Sequence, residues 1–407
     1  MSKANKQQVP KIRFEGFSEN WEQKKLGQLV FSLDAGVSVN SVDNEVSNYW
    51  ILKTSCITGG IFNENERKAV VDQNEIIRLK EPLLSNSILM SRMNTPTLVG
   101  VTGYVEEATH NTFLPDRLWQ FKLKENKVDV CWLSNLFLTE KNLQIRQSNA
   151  TGTSGSMKNI SKASVLQEEI FLTSLIEQTQ IGNFFQQLDK LIELQTRAVE
   201  SAETYKKAML QKMFPQKGEK VPRVRFEGFG EAWQSYNLDS LVKINMGQSP
   251  DSVNYTENSE DHILVQGNAD LDKGKVVPRV YTTQVTKTAE KGDIILTVRA
   301  PVGAIAITDF DVVLGRGVAG IKGNLFVYYT LELFCLAGTW LRFSSGSTFD
   351  SINSNEIKQI VVLVPSKEEQ EKIGSFFQKL DQKIESEKKK LEQYQTMKRA
   401  LLQRMFV

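Results

Sequence analysis

At 407 residues, with 50 basic against 48 acidic side chains, the chain is too long for one ordinary domain and lacks the strongly basic balance of a free-standing nucleic-acid binder. No stretch approaches the roughly 20 apolar residues of a membrane span, and the first residues, Met1-Ser-Lys-Ala-Asn-Lys-Gln-Gln, lack the apolar run of a secretory leader. Cys56, Cys131 and Cys335 have neither the number nor the spacing of a disulfide framework or a zinc site, so a reduced, soluble, cytoplasmic protein is expected.

Along the chain the first feature is a frame that returns. Val9-Pro-Lys-Ile-Arg-Phe-Glu-Gly-Phe-Ser-Glu-Asn-Trp21 recurs as Val221-Pro-Arg-Val-Arg-Phe-Glu-Gly-Phe-Gly-Glu-Ala-Trp233, an offset of 212 residues. Ile181-Gly-Asn-Phe-Phe-Gln-Gln-Leu-Asp-Lys190 recurs as Ile373-Gly-Ser-Phe-Phe-Gln-Lys-Leu-Asp-Gln382, an offset of 192. Duplicated frames around divergent inserts imply one scaffold carrying two different heads. The inserts, about 22–172 and 234–363, predict short strands and turns. Asn86-Ser-Ile-Leu-Met-Ser-Arg92, Gly292-Asp-Ile-Ile-Leu-Thr-Val-Arg299 and Gly303-Ala-Ile-Ala-Ile307 are apolar runs bounded by turn residues.

Helices are predicted after Leu172 and after Pro365. Ser174 with Glu177, and Ser366 with Glu369, fit the capping box in which each side chain satisfies the other's backbone N–H. Beyond them Ile181, Leu188, Gln195, Ala202 and Met209 recur every seven residues, interleaved with Phe185, Ile192, Val199, Lys206 and Met213. The second copy keeps the register with Ile373, Leu380, Glu387, Tyr394 and Leu401, and Phe377, Ile384, Leu391, Lys398 and Met405. A seam sustained over four heptads is coiled-coil patterning, and each seam's obvious partner is the other. Halves related by a two-fold axis perpendicular to the helices pack antiparallel. The 33 residues from Ile181 to Met213 would make a rod of about 50 Å, or roughly 14 base pairs of DNA.

The polar seam positions Gln195, Glu387, Lys206 and Lys398 are expected either to fix register or to reach outward. If they fix it, Gln195→Leu with Glu387→Leu would stabilise the rod while loosening its spacing. Pro215, Gly218 and Pro222 mark a linker. The repeat is circular: Phe406-Val407 falls where that linker would begin, and Lys3 to Pro10 resembles its latter part. The two termini are therefore expected to lie close together. The expected division is a globular domain over 1–172, a helix over 173–214, a linker over 215–222, a second domain over 223–363 and a second helix over 364–407.

Catalytic signatures are missing from the sequence. His110 and His262 have no neighbours at ligand spacing, and no G-x-x-x-x-G-K-[ST] loop occurs. The Asn/Asp-Pro-Pro-aromatic tetrapeptide of adenine methyltransferases is absent. Pro115-Asp116 with Glu125-Asn-Lys127 resembles the PD…ExK nuclease pattern, but Asn126 is polar where a buried strand supplies an apolar residue, and the second half has no counterpart. No catalytic residue and no metal ligand is expected.

These residues together resemble the specificity subunits of type I restriction-modification systems. The resemblance spans the whole chain. It is carried by the duplicated frame, Asn245-Met-Gly-Gln-Ser-Pro250, Gly292-Asp-Ile-Ile295, and the run from Ser345-Gly-Ser347 through Ile352, Ile357, Val364-Pro365, Glu369-Gln370 and Ile373 to Leu380-Asp381. The first half matches at Ser154-Gly-Ser156, Ile160, Glu177-Gln178, Ile181 and Leu188-Asp189, with Leu172-Thr173 in place of Val-Pro.

The resemblance implies a mixed α/β (α+β) fold: two strand-rich globular target recognition domains joined by two long antiparallel coiled-coil helices in a pseudo-two-fold circular repeat. It implies that each domain reads one half of a split, asymmetric double-stranded DNA site while the helices set the gap. Two modification (methyltransferase) subunits would dock on the helices and methylate adenine with S-adenosylmethionine. Restriction (translocase/endonuclease) subunits would add ATP- and Mg-dependent translocation and cleavage. A coiled-coil protein-binding adaptor with two globular heads is the rival reading. A stand-alone endonuclease built around Glu125 and Lys127 is a third.

DNA readers need Arg and Lys for guanine edges and phosphates, and Asn or Gln for adenine. In the first domain the candidates are Lys53-Thr54, Arg92, Asn94-Thr95 and the 152–158 loop with Ser154 and Lys158. In the second they are Arg299, the glycine-flanked Arg316, Lys322, and Ser347-Thr348. The acidic stretch 251–272 (Asp251, Glu257, Glu260, Asp261, Asp270, Asp272) is expected to face away from phosphate. The near-neutral total predicts weak affinity for DNA without partner subunits.

Overall fold

The structure, a computed structural model, describes residues 9–124, 126–154, 156–340 and 351–407. The chain divides into two compact units, Met1–Thr196 with Lys389–Val407, and Arg197–Lys388. Both units have one plan. A strand just after the repeated tryptophan pairs antiparallel with the strand that precedes the long helix: Glu22–Lys25 with Glu169–Leu172 in the first unit, Gln234–Asn237 with Val361–Val364 in the second.

In the first unit a four-stranded antiparallel sheet runs in the order Val30–Asp34, Leu118–Leu123, Ser87–Ser91, Thr102–Val105. A smaller sheet holds Thr112–Phe113 parallel to Trp50–Leu52 and then Arg67–Ala69. The second unit has a six-stranded sheet centred on Ile294–Thr297 and Ile305–Ile307, with Val318–Lys322 beside Ile294–Thr297, and a five-stranded sheet in which His262–Val265 lies parallel to Val312–Leu314. The apolar runs foreseen in the sequence form the strands Ser87–Ser91, Ile294–Thr297 and Ile305–Ile307.

The two long helices are Leu175–Met213 and Lys367–Met405, of 39 residues each. Their starts differ from the foreseen capping box in one respect. Ser174 Oγ accepts from Glu177 N, and Ser366 Oγ from Glu369 N, both at 3.3 Å. The glutamate carboxylates do not complete the box, because an arginine of the repeated frame takes them. Arg13 binds Glu177 through Nε (2.6 Å) and Nη2 (2.8 Å), and Arg225 binds Glu369 likewise (2.7 and 2.8 Å). Such a fork matches a carboxylate bidentately, so burying the glutamates leaves no uncompensated charge. Gly182 and Gly374 allow each helix to cross its own unit closely. A Cβ on Gly182 would lie 2.7 Å from Asp129 Oδ1 and 3.1 Å from Trp132 N, and one on Gly374 would lie 2.8 Å from Leu325 Cβ.

The seam faces inward. Ile181, Phe185, Leu188, Val199, Ile373, Phe377 and Ile384 are buried, and Ile192, Leu380 and Leu391 are half-buried. Its lysines neither project outward nor face one another. In the first unit Lys398 Nζ binds Asp189 Oδ1 at 2.5 Å; in the second Lys206 Nζ binds Asp381 Oδ1 at 2.6 Å and Glu332 Oε1 at 2.7 Å. Asp189 is near the start of the first helix and Lys398 near the end of the second, so the helices run antiparallel. Gln195 and Glu387 are half-buried and both have interaction partners.

The last turn of each helix completes the core of the unit it enters. Phe406 lies 6.3 Å from Trp21, 5.9 Å from Trp132 and 5.9 Å from Phe185, ring centre to ring centre. Phe214 does the same with Trp233 (5.8 Å), Phe326 (5.5 Å) and Phe377 (6.2 Å). Ile12 N donates to Arg404 O, and Val224 N to Lys212 O. The circular connection expected from the sequence is thus seen at residues 12 and 404, within hydrogen-bonding distance.

Candidate nucleic-acid interface

In the first unit the candidate residues gather where strands end. Ser91 is paired with Leu118 at the end of the antiparallel ladder, and just beyond it Arg92 N donates to Arg117 O at 3.0 Å. The chain continues into the short strand Met93–Asn94, which pairs with Met157–Asn159 in the register Asn94↔Lys158. Ile160 N returns to Arg92 O at 3.0 Å. Arg92, Asn94, Thr95 and Lys158, more than 60 residues apart in sequence at the extremes, therefore share one patch. The Arg92 guanidinium lies 5.6 Å over the Trp119 ring, with Nε buried and unpartnered. Asn94 is committed locally: Nδ2 donates to Ser91 Oγ, and Oδ1 accepts from Thr95 N. Ser154 is placed by the pairing of its backbone with Met157, while its side chain lies outside the described residues.

Lys53 follows the strand Trp50–Leu52, whose parallel neighbour Thr112–Phe113 leads into the turn Pro115-Asp116-Arg117. Both chains thus leave the sheet at the same edge. The Lys53 ammonium is 2.9 Å from Asp43, and that hydrogen bond raises its pKa; Lys68 holds the other Asp43 oxygen at 3.0 Å. Thr54 opens a short 3-10 turn, Thr54–Cys56.

The second unit repeats this arrangement with other residues. Thr297 pairs with Val318, Val298 N donates to Gly317 O at 2.8 Å, and Ile352 N returns to Val298 O at 2.9 Å. Ile352 is the 192-offset equivalent of Ile160, so the two patches are topologically the same place. Arg299 is bridged to Ser351, and Arg316 sits on the turn before Val318–Lys322; both side chains are exposed. The glycines beside Arg316 serve close packing. A Cβ on Gly317 would lie 2.1 Å from Gln266 O, and one on Gly247 would lie 2.0 Å from Gly315 O.

Two further placements, of Lys322 and Asp270, bear on what the sequence suggested. Lys322 stands at the opposite end of its strand from Arg316 and is ion-paired to Glu290 at 2.6 Å. Ser347 and Thr348 lie outside the described residues. Asp270, grouped with a surface acidic stretch, is buried and its Oδ2 accepts from Gln266 N and Gly267 N, so it shapes the turn beside Arg316. Arg117, not among the sequence candidates, is exposed on a turn placed like that of Arg316. The only sequence signal for it is the turn chemistry of Pro115-Asp116 before an apolar run. Glu125 of the PD…ExK resemblance lies outside the described residues, while His110 and His262 are exposed on separate units.

A duplicated frame, two divergent strand-rich heads and paired long helices define a protein built to present two different surfaces on one scaffold. The family model for the type I restriction modification DNA specificity domain matches residues 18–204 and again 230–395. The chain belongs to that family, the DNA-specificity subunits of type I restriction-modification systems. It is similar to the putative type I restriction enzyme MjaX specificity subunit of Methanocaldococcus jannaschii, with 26% identity covering 94% of this chain and 92% of the relative. The MjaVIII specificity subunit of the same organism is 21% identical, over 94% and 91%. The fold is shared with the type I restriction-modification S subunit from M. genitalium, at a TM-score of 0.63 and 18% identity covering 98% and 99% of the two chains.

Proposed function

We propose that each unit reads one half of a split, asymmetric DNA site through its strand-end patch: Lys53, Arg92, Asn94 and Lys158 in the first, Arg299 and Arg316 in the second. The observation that carries this reading is the same topological position furnished with different polar residues in the two heads. The long helices then act as the spacer and as the docking place for two modification subunits, which methylate one adenine in each half-site using S-adenosylmethionine. Restriction subunits supply ATP- and Mg-dependent translocation and cleavage, and the specificity chain itself performs no chemistry. The assembly is cytoplasmic; among the described residues no helix is long and apolar enough to cross a membrane. Side chains such as Arg316 can approach base edges or phosphates, and base contacts carry the sequence information.

The test is coexpression with the companion modification subunit and single-molecule mapping of methylated adenines on plasmid DNA. The expected result is a bipartite motif with a fixed gap and one modified adenine on each strand. A stable complex that leaves plasmid DNA unmethylated would count against the reading and favour a protein-binding adaptor.

A further inference from the structure

The strand ends bring two arginines together in sequence register in the first unit and carry two more at the corresponding place in the second. Continuing Ser91↔Leu118 by one residue sets Arg92 against Arg117, as the Arg92 N to Arg117 O bond requires. In the second unit Val298 N donates to Gly317 O, and one residue beyond that contact Arg299 is bridged to Ser351 while Arg316 sits in the turn Gly315–Val318. Like charges directly opposite on antiparallel strands are destabilising. Neither pair is relieved from within: among the described residues, none of the four guanidinium groups has a carboxylate partner. Arg117, Arg299 and Arg316 are exposed, and Arg92 is steadied by Trp119.

The pairs are one step out of phase. Ile160 returns to Arg92 but Ile352 returns to Val298, so Arg92 matches Val298 rather than Arg299. Comparing the two halves residue by residue therefore hides the correspondence. Two heads with divergent inserts each hold an unneutralised arginine pair at the same strand ends, which a structural role alone leaves without a reason.

We propose that Arg117, together with Arg92, grips a pair of hydrogen-bond acceptors on the DNA half-site read by the first unit, as Arg299 with Arg316 does in the second. The assignment presupposes that these strand ends face DNA. The acceptors are the O6 and N7 edge of a guanine or two phosphate oxygens, both of which suit a planar guanidinium fork.

The experiment uses the whole chain in complex with its modification subunits. Arg117→Ala, Arg117→Lys and, as a control in the other head, Arg316→Ala are compared by methylation rate, methylated motif and salt dependence. Arg117→Ala should slow methylation of the cognate site by about tenfold or more, with a melting temperature no lower than that of the parent, since it removes a like-charge contact. For a guanine contact the motif relaxes at one position of the first half-site and Arg117→Lys fails to restore it. For a phosphate contact all sequences weaken together, the salt slope falls by about 1, and Arg117→Lys restores most of the rate. Arg117→Ala with parental rate, motif and salt slope overturns the proposal. If Arg316→Ala still alters the second half-site, only the role of Arg117 falls; if both variants are silent, the reading of the strand ends as the DNA face falls too.

Discussion

Truncating Phe406 to alanine tests whether the last turn of the second long helix is part of the first unit's core. The ring is 7% exposed and is packed against Trp21, Trp132 and Phe185 at centroid separations of 5.9 to 6.3 Å. Removing a buried phenylalanine costs about 3 to 5 kcal/mol. A site at a helix end can partly collapse, so about 3 kcal/mol is the working figure, equivalent to roughly a hundredfold change in opening equilibrium. Hydrogen exchange read by mass spectrometry resolves where that loss falls. Peptides covering residues 26–33 and 130–137 should lose about two decades of protection, while 325–331 in the second unit should be nearly unchanged. Phe214→Ala should give the mirror image through Trp233, Phe326 and Phe377. A Phe406→Ala protein that loses protection equally in both units, or by less than about threefold in the first, would refute the claim that helix ends complete the core they enter.

Glu369→Gln should cost about 3 to 5 kcal/mol in urea unfolding, because it strands the mostly buried Arg225 guanidinium. The double replacement Arg225→Met with Glu369→Leu should recover much of that loss, and a single-variant cost below about 1 kcal/mol would contradict the role given to the pair. Burial raises the Glu332 pKa above its ordinary 4.5, opposed by Lys206. A carboxyl raised in the folded state adds stability below 4.5 that is lost as pH climbs through its folded value. The urea midpoint of the parent should therefore fall over that window more than that of Glu332→Gln, and equal pH slopes would defeat the assignment. Burial pushes the Cys56 and Cys131 thiols up to about 12 and Cys335 to about 11. A thiol reagent at pH 8 should leave all three essentially unlabelled in the native chain and label all three in denaturant; fast native labelling of any one would show that its burial is misassigned.

What could be read in the sequence was what is local or repeated. The frame, both helix starts and the inward seam follow from short-range patterns, and the strand Ser87–Ser91 from an apolar run between turn residues. The helix Leu325–Leu336 is hidden because it is apolar on nearly every side, and Val130–Phe137 because eight residues are too few for a helical period to stand out. A helix buried all round has no polar stripe, and a short apolar run of that kind cannot be told from a buried strand by periodicity. The candidate site was half legible. Arg92, Arg299 and Arg316 stand out by residue type and glycine or strand-end context, whereas for Arg117 the sequence offers only the Pro115-Asp116 turn, and its place beside Arg92 comes from a non-local register. Nor could composition reveal that Lys53 and Lys322 are tied to Asp43 and Glu290.

The ion pairs along the helices also decide what kind of repeat this is. Arg13–Glu177 recurs as Arg225–Glu369, the arginine shifted by 212 and the glutamate by 192, so both partners stay inside one copy. Any duplication, tandem or two-fold, would give that. Lys206 and Lys398 are also 192 apart, as are Asp189 and Asp381, yet Lys206 binds Asp381 while Lys398 binds Asp189. Each lysine takes the aspartate of the other copy, so each unit is completed by a helix end that the other copy of the repeat supplies. The same crossing holds for Phe214 with Phe377 and Phe406 with Phe185. The same exchanged contacts thus occur within each unit, and the differences between the units are concentrated in the inserts. A protein meant to read two unlike half-sites needs its differences there, since any change to one side of a reciprocal pair perturbs only one of two contacts that otherwise match.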